Sequence, residues 1–90
     1  MNIIDLFSGA GGLTFGFYYD LIDGQFVRNN NNFVFANEKY PQAANAFSEN
    51  FKDIHMEICD IHELTEEKIK RLISNRLPEG EEIDLIIGGP

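Results

Sequence analysis

The chain has 90 residues, 43% of them hydrophobic, so it is long enough for one domain or part of one, with eight Phe and three Tyr to fill a core. It has no apolar run of about 18 residues that would span a membrane, and its N-terminus lacks the basic region of a signal peptide. The chain has a single cysteine. Together these features predict a cytoplasmic protein without an internal disulfide. Fifteen acidic residues against seven basic ones give a net charge of −8. DNA binding requires Lys and Arg to displace phosphate counterions, so these 90 residues alone are not expected to bind DNA.

The first half of the chain predicts a strand, a helix and a second strand. The apolar run from Asn2 to Phe7 predicts the first strand, and a glycine-rich turn follows it over residues 8–12. Residues 28–32, an arginine and four asparagines, predict a polar loop before a strand over residues 33–36. Between the turn and the loop, apolar residues spaced as i, i+4 and i+8 predict a helix that ends at Asp23-Gly24: Leu13, Phe17 and Leu21.

The second half predicts two further helices and two further strands. Pro41 suits the first turn of a helix, whose expected apolar stripe is Tyr40, Ala44, Phe47 and Phe51. Residues 54–59 predict a third strand. Thr65 is the expected N-cap of a third helix, with Ile69, Leu72, Ile73 and Leu77 as its buried stripe and Pro78 after its end. A fourth strand is predicted over residues 83–87.

The resulting order, β-α-β-α-β-α-β, predicts an α/β fold with a parallel sheet. Residues 1–90 are expected to form one Rossmann-like half of a doubly wound fold, with the strand order 3-2-1-4. In such sheets ligands bind beyond the carboxyl ends of the strands. Those ends carry Phe7-Ser8-Gly9, Asn37-Glu38, Cys59-Asp60 and Gly88-Gly89-Pro90.

The glycine turn is the first candidate site. Gly9, Gly11 and Gly12 would let the backbone approach a ligand closely. The dinucleotide fingerprint that starts at Gly9 requires a glycine where Thr14 stands, and the chain has no Gly-Lys-Ser/Thr of a P-loop, so neither NAD nor ATP is favoured. A tight turn without a ligand is the alternative.

Side chains at the other strand ends suit a nucleoside. Glu38 ends the second strand, where a carboxylate accepts from ribose hydroxyls; the alternative is a solvated surface residue. Asp60 is a candidate acceptor for a purine amino group or a turn residue, and Phe7 is a candidate stacking partner or a core residue. Cys59 is expected to be a buried structural thiol. His55 and His62 lack metal-ligand spacing with it, so no metal site is predicted.

Four segments in order resemble the DNA cytosine-5 methyltransferases. Residues 5–13, Asp-Leu-Phe-Ser-Gly-Ala-Gly-Gly-Leu, are similar to motif I of that family, and residues 36–43 are similar to motif II. Residues 59–61 resemble the short motif III, and residues 84–90 resemble the approach to motif IV. The resemblance covers the whole chain.

The resemblance implies S-adenosylmethionine as cofactor. It implies that Phe7 packs against adenine, that the glycine turn lines the methionine part, that Glu38 holds the ribose and that Asp60 and Ile61 contact the adenine. Lys39 stands where many members carry an aromatic residue that covers the adenine, and its aliphatic stem is the expected substitute. The implied cofactor-binding residues are Phe7, Gly9, Ala10, Gly11, Gly12, Leu13, Glu38, Lys39, Asp60, Ile61 and Pro90.

In this family the nucleophilic cysteine follows the Gly-Gly-Pro segment, which places it just beyond Pro90. No catalytic residue is therefore assigned, and the chain is expected to be an inactive N-terminal fragment whose parent acts on DNA. The alternative is a catalytically silent Rossmann-like binding or interaction module. Because the apolar fourth strand would have an unpaired outer edge, a homodimer or higher assembly through that strand is also expected.

Overall fold

The computed structural model describes residues 1–89, and its central feature is a four-stranded parallel sheet with the strand order β5-β4-β1-β6. Counting these strands along the chain gives the order 3-2-1-4, so the predicted topology and fold class are confirmed. In chain order the elements are β1 (Asn2–Leu6), α1 (Gly12–Tyr18), β2 (Tyr19–Ile22), β3 (Gln25–Arg28), β4 (Asn32–Glu38), α2 (Pro41–Asn50), β5 (Met56–Ile58), a 3₁₀ turn (Ile61–Glu63), α3 (Glu66–Arg76) and β6 (Leu85–Gly88).

Helices cover both faces of this sheet. Because side chains alternate along a strand, adjacent residues of β1 pack on opposite faces of the sheet. Ile3 packs on the face covered by α1 and α2, and Ile4 packs on the face covered by α3. The predicted α3 stripe is confirmed, with Leu72 and Leu77 buried, and Thr65 caps the helix by accepting from the Lys68 backbone N–H at 3.2 Å. Within residues 1–89, no helix combines the length and the hydrophobicity that crossing a membrane requires.

The prediction of a long first helix is wrong. Helix α1 ends at Tyr18, and the chain continues into an antiparallel hairpin of β2 and β3. Asp23 and Gly24 form its turn, with φ of 51° and 76°, and an Asp-Gly pair with both φ values positive favours a tight two-residue hairpin turn. Leu21, expected in the helix core, is 66% exposed, so its helical spacing from Leu13 was coincidental.

A polar network holds the hairpin against the loop after α2. The Tyr18 hydroxyl donates to Asp53 at 2.6 Å, and Arg28 donates to the other oxygen of that carboxylate at 3.2 Å. The guanidinium of Arg28 also lies 3.9 Å from the centre of the Tyr18 ring. Asn29 and Asn31 each donate a side-chain N–H to the Phe17 carbonyl at 2.9 Å. The asparagines of the predicted loop therefore fasten the end of α1.

This network predicts a pH-dependent contribution to stability. Burial acts to raise the pKa of Asp53, but hydrogen bonds from Tyr18 and Arg28 outweigh it and hold that pKa below 3.8. An acid whose pKa is lowered by folding stabilises the fold above its unfolded pKa and loses that contribution as pH falls through the folded one. Asp53→Asn should therefore lower the free energy of unfolding at pH 7 by about 1 kcal/mol, the partly exposed pair being screened by water.

Urea unfolding between pH 2 and pH 7 measures this effect. The difference between wild type and Asp53→Asn should shrink below about pH 4. Tyr18→Phe, which keeps the ring and removes the hydroxyl, should reproduce part of the loss at pH 7. A variant curve parallel to the wild-type curve at every pH would show that Asp53 has no such role.

Candidate ligand-binding site at the carboxyl edge of the sheet

A cleft of about 440 Å³ opens where β1, β4 and β5 end. It brings together six of the residues that the sequence predicted for one site, and three others. The predicted residues are Phe7, Gly9, Glu38, Lys39, Asp60 and Ile61, and the additional ones are Asn37, Tyr40 and Gly89.

Glu38 connects the glycine turn to the end of β4. Its side chain is buried, so the prediction of a solvated surface residue is excluded. Oε1 accepts from the Gly9 N–H at 3.0 Å, and Oε2 accepts from the Tyr40 N–H at 2.7 Å. Each carboxylate oxygen retains a second lone pair. The two backbone donors therefore fix a bidentate acceptor that can still take two ligand hydroxyls.

The turn after β1 has an unusual backbone. Phe7 has a φ of 55°, which is rare for a bulky residue, and Gly9 has a φ of 57°. Phe7 is 44% exposed, so it is not the core residue of the alternative prediction. Apart from its two chain neighbours, no residue has an atom within 4 Å of where a Cβ on Gly9 would stand. The strained turn thus presents an aromatic ring and an open stretch of backbone beside Glu38.

Asp60 begins the 3₁₀ turn and also reaches the cleft. Its Oδ1 accepts from the His62 N–H at 3.0 Å, and its own N–H donates to Glu63 at 3.2 Å, which forms a capping box. Lys39 Nζ lies 3.4 Å from Asp60 Oδ2. The His62 N–H and then Lys39 hold the pKa of Asp60 below its usual value. Asp60 is thus a turn residue, as one prediction stated, and an ionised acceptor at the cleft.

The remaining glycine-turn residues lie elsewhere. Ala10, Gly11 and Gly12 line a larger groove of about 530 Å³, together with the aromatic residues Phe15, Tyr19 and Phe51 and with Asn50. Leu13 is exposed and lines neither space. Pro90 lies outside the described residues. We favour the smaller cleft as the ligand site, because it contains the charged and hydrogen-bonding groups that can orient a polar ligand.

Two residues that the sequence analysis did not assign to the site shape it. Asn37 is almost fully buried, and its amide donates to the carbonyls of Glu57 at 3.0 Å and Cys59 at 2.9 Å. It therefore fixes the end of β5 against β4. Tyr40, predicted in the α2 core stripe, is instead 65% exposed at the cleft. Its position in the sequence, two residues after Glu38, was the signal that could have placed Tyr40 at the cleft.

Cys59 lies beside this cleft but does not line it. It is partly buried, whereas the sequence predicted a buried thiol. The Asn37 amide lies 3.5 Å from its sulfur, and burial is the main cause that raises the pKa of its thiol. A raised pKa leaves little thiolate at neutral pH, which suits a structural cysteine rather than a nucleophile. Residues 1–89 contain no group of three His, Cys, Asp or Glu side chains placed to hold a metal ion.

Comparison with known proteins agrees with this arrangement. Residues 1–90 match the sequence model of the family described as C-5 cytosine-specific DNA methylase. Neither a curated protein nor a solved structure matches the chain. The match extends over the whole sequence, and the parallel sheet of the structure is consistent with a Rossmann-like methyltransferase half. The chain therefore belongs to the C-5 cytosine-specific DNA methylase family.

Proposed function

We propose that this chain is the S-adenosylmethionine-binding part of a methyltransferase that acts on C5 of cytosine in DNA. The observation that carries the proposal is the Glu38 carboxylate, fixed by the N–H groups of Gly9 and Tyr40 where β1 and β4 end. A rigid, buried carboxylate with free lone pairs suits the vicinal hydroxyls of a ribose. When bound, the cofactor would supply the methyl group.

The other cleft residues suit the rest of an adenosine group. Phe7 and Ile61 offer apolar surface for a purine ring, and Asp60 offers an ionised acceptor for its amino group. The residues present therefore fit the nucleoside part of the cofactor. In this proposal Glu38 orients the ribose, Asp60 selects the base edge, and the apolar side chains exclude water from the base.

NAD fits this chain less well. Thr14 is fully buried, and its hydroxyl donates to Asp5 Oδ2, so a side chain tied to β1 occupies the position where the dinucleotide fingerprint has its third glycine. Burial raises the pKa of Asp5 despite that hydrogen bond. The Asp5–Thr14 contact therefore lies between the first turn of α1 and the sheet, where the dinucleotide fingerprint uses a glycine for close helix–strand packing.

We also propose that these 90 residues bind the cofactor without transferring its methyl group. The one thiol of the chain, on Cys59, accepts a hydrogen bond from the Asn37 amide and has a raised pKa, whereas attack on cytosine requires an activated nucleophile. The net charge of −8 also disfavours contact with DNA phosphates. A silent binding module of the same fold remains the second candidate, and the low reactivity of Cys59 is compatible with it.

Calorimetry with S-adenosylhomocysteine tests the binding proposal, with NAD as the competing ligand. Saturable binding of the first and none of the second is expected. Incubation with labelled S-adenosylmethionine and a mixed-sequence duplex should then give no methylated DNA. Absence of S-adenosylhomocysteine binding by the folded chain would refute the binding proposal, and methyl transfer that is lost in Cys59→Ser would refute the assignment of Cys59.

We further propose that the chain associates with itself through β6. Within residues 1–89 this strand pairs only with β1, and Ile86 on it is 61% exposed. An open apolar strand edge pairs readily with another chain. Sedimentation at several concentrations should therefore show dimers or larger assemblies, and Ile86→Lys should reduce them.

A matched control is Ile22→Lys in the hairpin, where the native isoleucine is also exposed. This variant should assemble like the wild type. A wild-type monomer at high concentration would contradict the proposal, as would equal assembly of a folded Ile86→Lys variant.

A further inference from the structure

Lys39 and Asp60 form an ion pair inside the proposed adenosine cleft. Their side chains come from the end of β4 and from the start of the 3₁₀ turn, and Nζ lies 3.4 Å from Oδ2. The ammonium also lies 5.6 Å from the centre of the Tyr40 ring. Both Lys39 and Tyr40 are exposed. The pair therefore stands at the rim of the cleft, within reach of an entering ligand.

This contact leaves neither oxygen of Asp60 free of a donor. Oδ1 accepts from the His62 N–H at 3.0 Å, and Oδ2 faces the Lys39 ammonium. Each oxygen retains a second lone pair, so a ligand amino group can still donate to Asp60, but only beside a donor that is already present, and at Oδ2 that donor is the Lys39 ammonium. The lysine side chain is 58% exposed, so the ion pair is weak and can open at small cost.

The pair also changes which ligand atoms this edge can recognise. A carboxylate alone only accepts hydrogen bonds, and an ammonium only donates them. With the two groups in contact, the edge of the cleft offers an acceptor to a purine amino group and a donor to a purine keto oxygen. If the cleft had Asp60 but not Lys39, the keto oxygen would face a carboxylate and would receive no hydrogen bond from this edge.

We propose that Lys39 is a specificity-determining residue that relaxes the selectivity of the cleft for the 6-amino group of a purine. The inference rests on the proposed binding of an adenosine-containing cofactor. The Lys39 ammonium places a positive donor beside the 6-amino group at Asp60, which weakens that contact, and it donates to a 6-oxo group. The chain should therefore discriminate weakly between S-adenosylhomocysteine and its 6-oxo analogue, S-inosylhomocysteine, and Lys39 should be the reason.

Lys39→Met tests the proposal, because methionine keeps much of the aliphatic stem and removes the charge. Calorimetry with both ligands should show that the variant binds S-adenosylhomocysteine a few times more tightly than the wild type, because the ammonium beside Asp60 is gone. Binding of S-inosylhomocysteine should weaken about five- to tenfold, since a hydrogen bond from a charged donor is lost at a partly exposed site. Lys70→Met is the matched control, because Lys70 pairs with Glu66 on α3 and not with the cleft.

The outcomes separate this inference from the proposed function. An increased preference for the 6-amino ligand in Lys39→Met, with no change in Lys70→Met, would support the role of Lys39. The same preference in wild type and Lys39→Met would refute that role while leaving cofactor binding intact, and so would an equal change in both variants. A wild-type chain that binds neither ligand would refute the proposed function and this inference with it.

Discussion

Replacing Gly11 with alanine should destabilise the chain by about 3 kcal/mol or more, through overpacking and an unfavourable backbone conformation. Gly11 has a φ of 103°, and a Cβ there would overlap Phe51 Cε2 and stand 3.1 Å from Phe47 Cδ2. Both rings are buried and pack against each other with centroids 4.9 Å apart. Neither can move without disturbing the core between α2 and the sheet, and a chain of this size has a small stability margin.

Urea unfolding followed by circular dichroism measures this loss, and Gly12→Ala is the matched control. A Cβ on Gly12 would have no atom within 4 Å, and the residue does not have a positive φ. Its substitution should change the free energy of unfolding by less than about 1 kcal/mol. If Gly11→Ala unfolds at the same urea concentration as the wild type, the packing of α2 against the glycine turn is not as described.

Replacing Glu38 with glutamine should weaken S-adenosylhomocysteine binding about 10- to 100-fold, the usual effect of losing a charged acceptor. Glutamine keeps the length of the side chain but has one acceptor oxygen, whereas Glu38 accepts from Gly9 and from Tyr40 with different oxygens. The new NH₂ group would face one of these backbone donors. The variant thus loses an acceptor for the ribose and one of the bonds that position the glycine turn.

Two measurements on this variant distinguish lost binding from lost folding. The thermal midpoint reports stability, and calorimetry at a temperature where the variant is folded reports affinity. Glu79→Gln, at an exposed position after α3, should change neither. Unchanged affinity in a folded Glu38→Gln variant would exclude the ribose-binding role.

The parallel sheet could be predicted because each strand is a short apolar run followed by an amphipathic helix. The order of the four strands then followed from the general rules for doubly wound sheets. The hairpin could not be predicted by the same reasoning. Leu21 lies at a helical spacing from Leu13, and Asp23-Gly24 terminates helices as readily as it forms hairpin turns. The packing of Tyr18 with Arg28 and Asp53, which favours the hairpin, joins residues that are far apart in the sequence.

The site was predictable where topology determines it. Glu38 and Asp60 meet because parallel strands end at the same edge of the sheet. The side-chain details depend on contacts that sequence does not report: Tyr40 has the correct spacing for the α2 stripe, yet it precedes the first residue of that helix and lies at the cleft. Gly11 was assigned to the ligand for its small size, but its φ and its contact with Phe51 show that packing also requires a glycine.

An NMR titration of the ¹⁵N-labelled chain with S-adenosylhomocysteine tests the central claim most directly. The amides of Gly9 and Tyr40 donate to Glu38, and Ile61 lines the cleft beside Asp60. Binding in the cleft predicts saturable shifts at these three amides, with smaller changes at Phe15 and Asn50 in the larger groove. No saturable shift, or saturable shifts confined to Phe15, Asn50 and their neighbours, would contradict the assignment of the cofactor site to the carboxyl edge of the sheet.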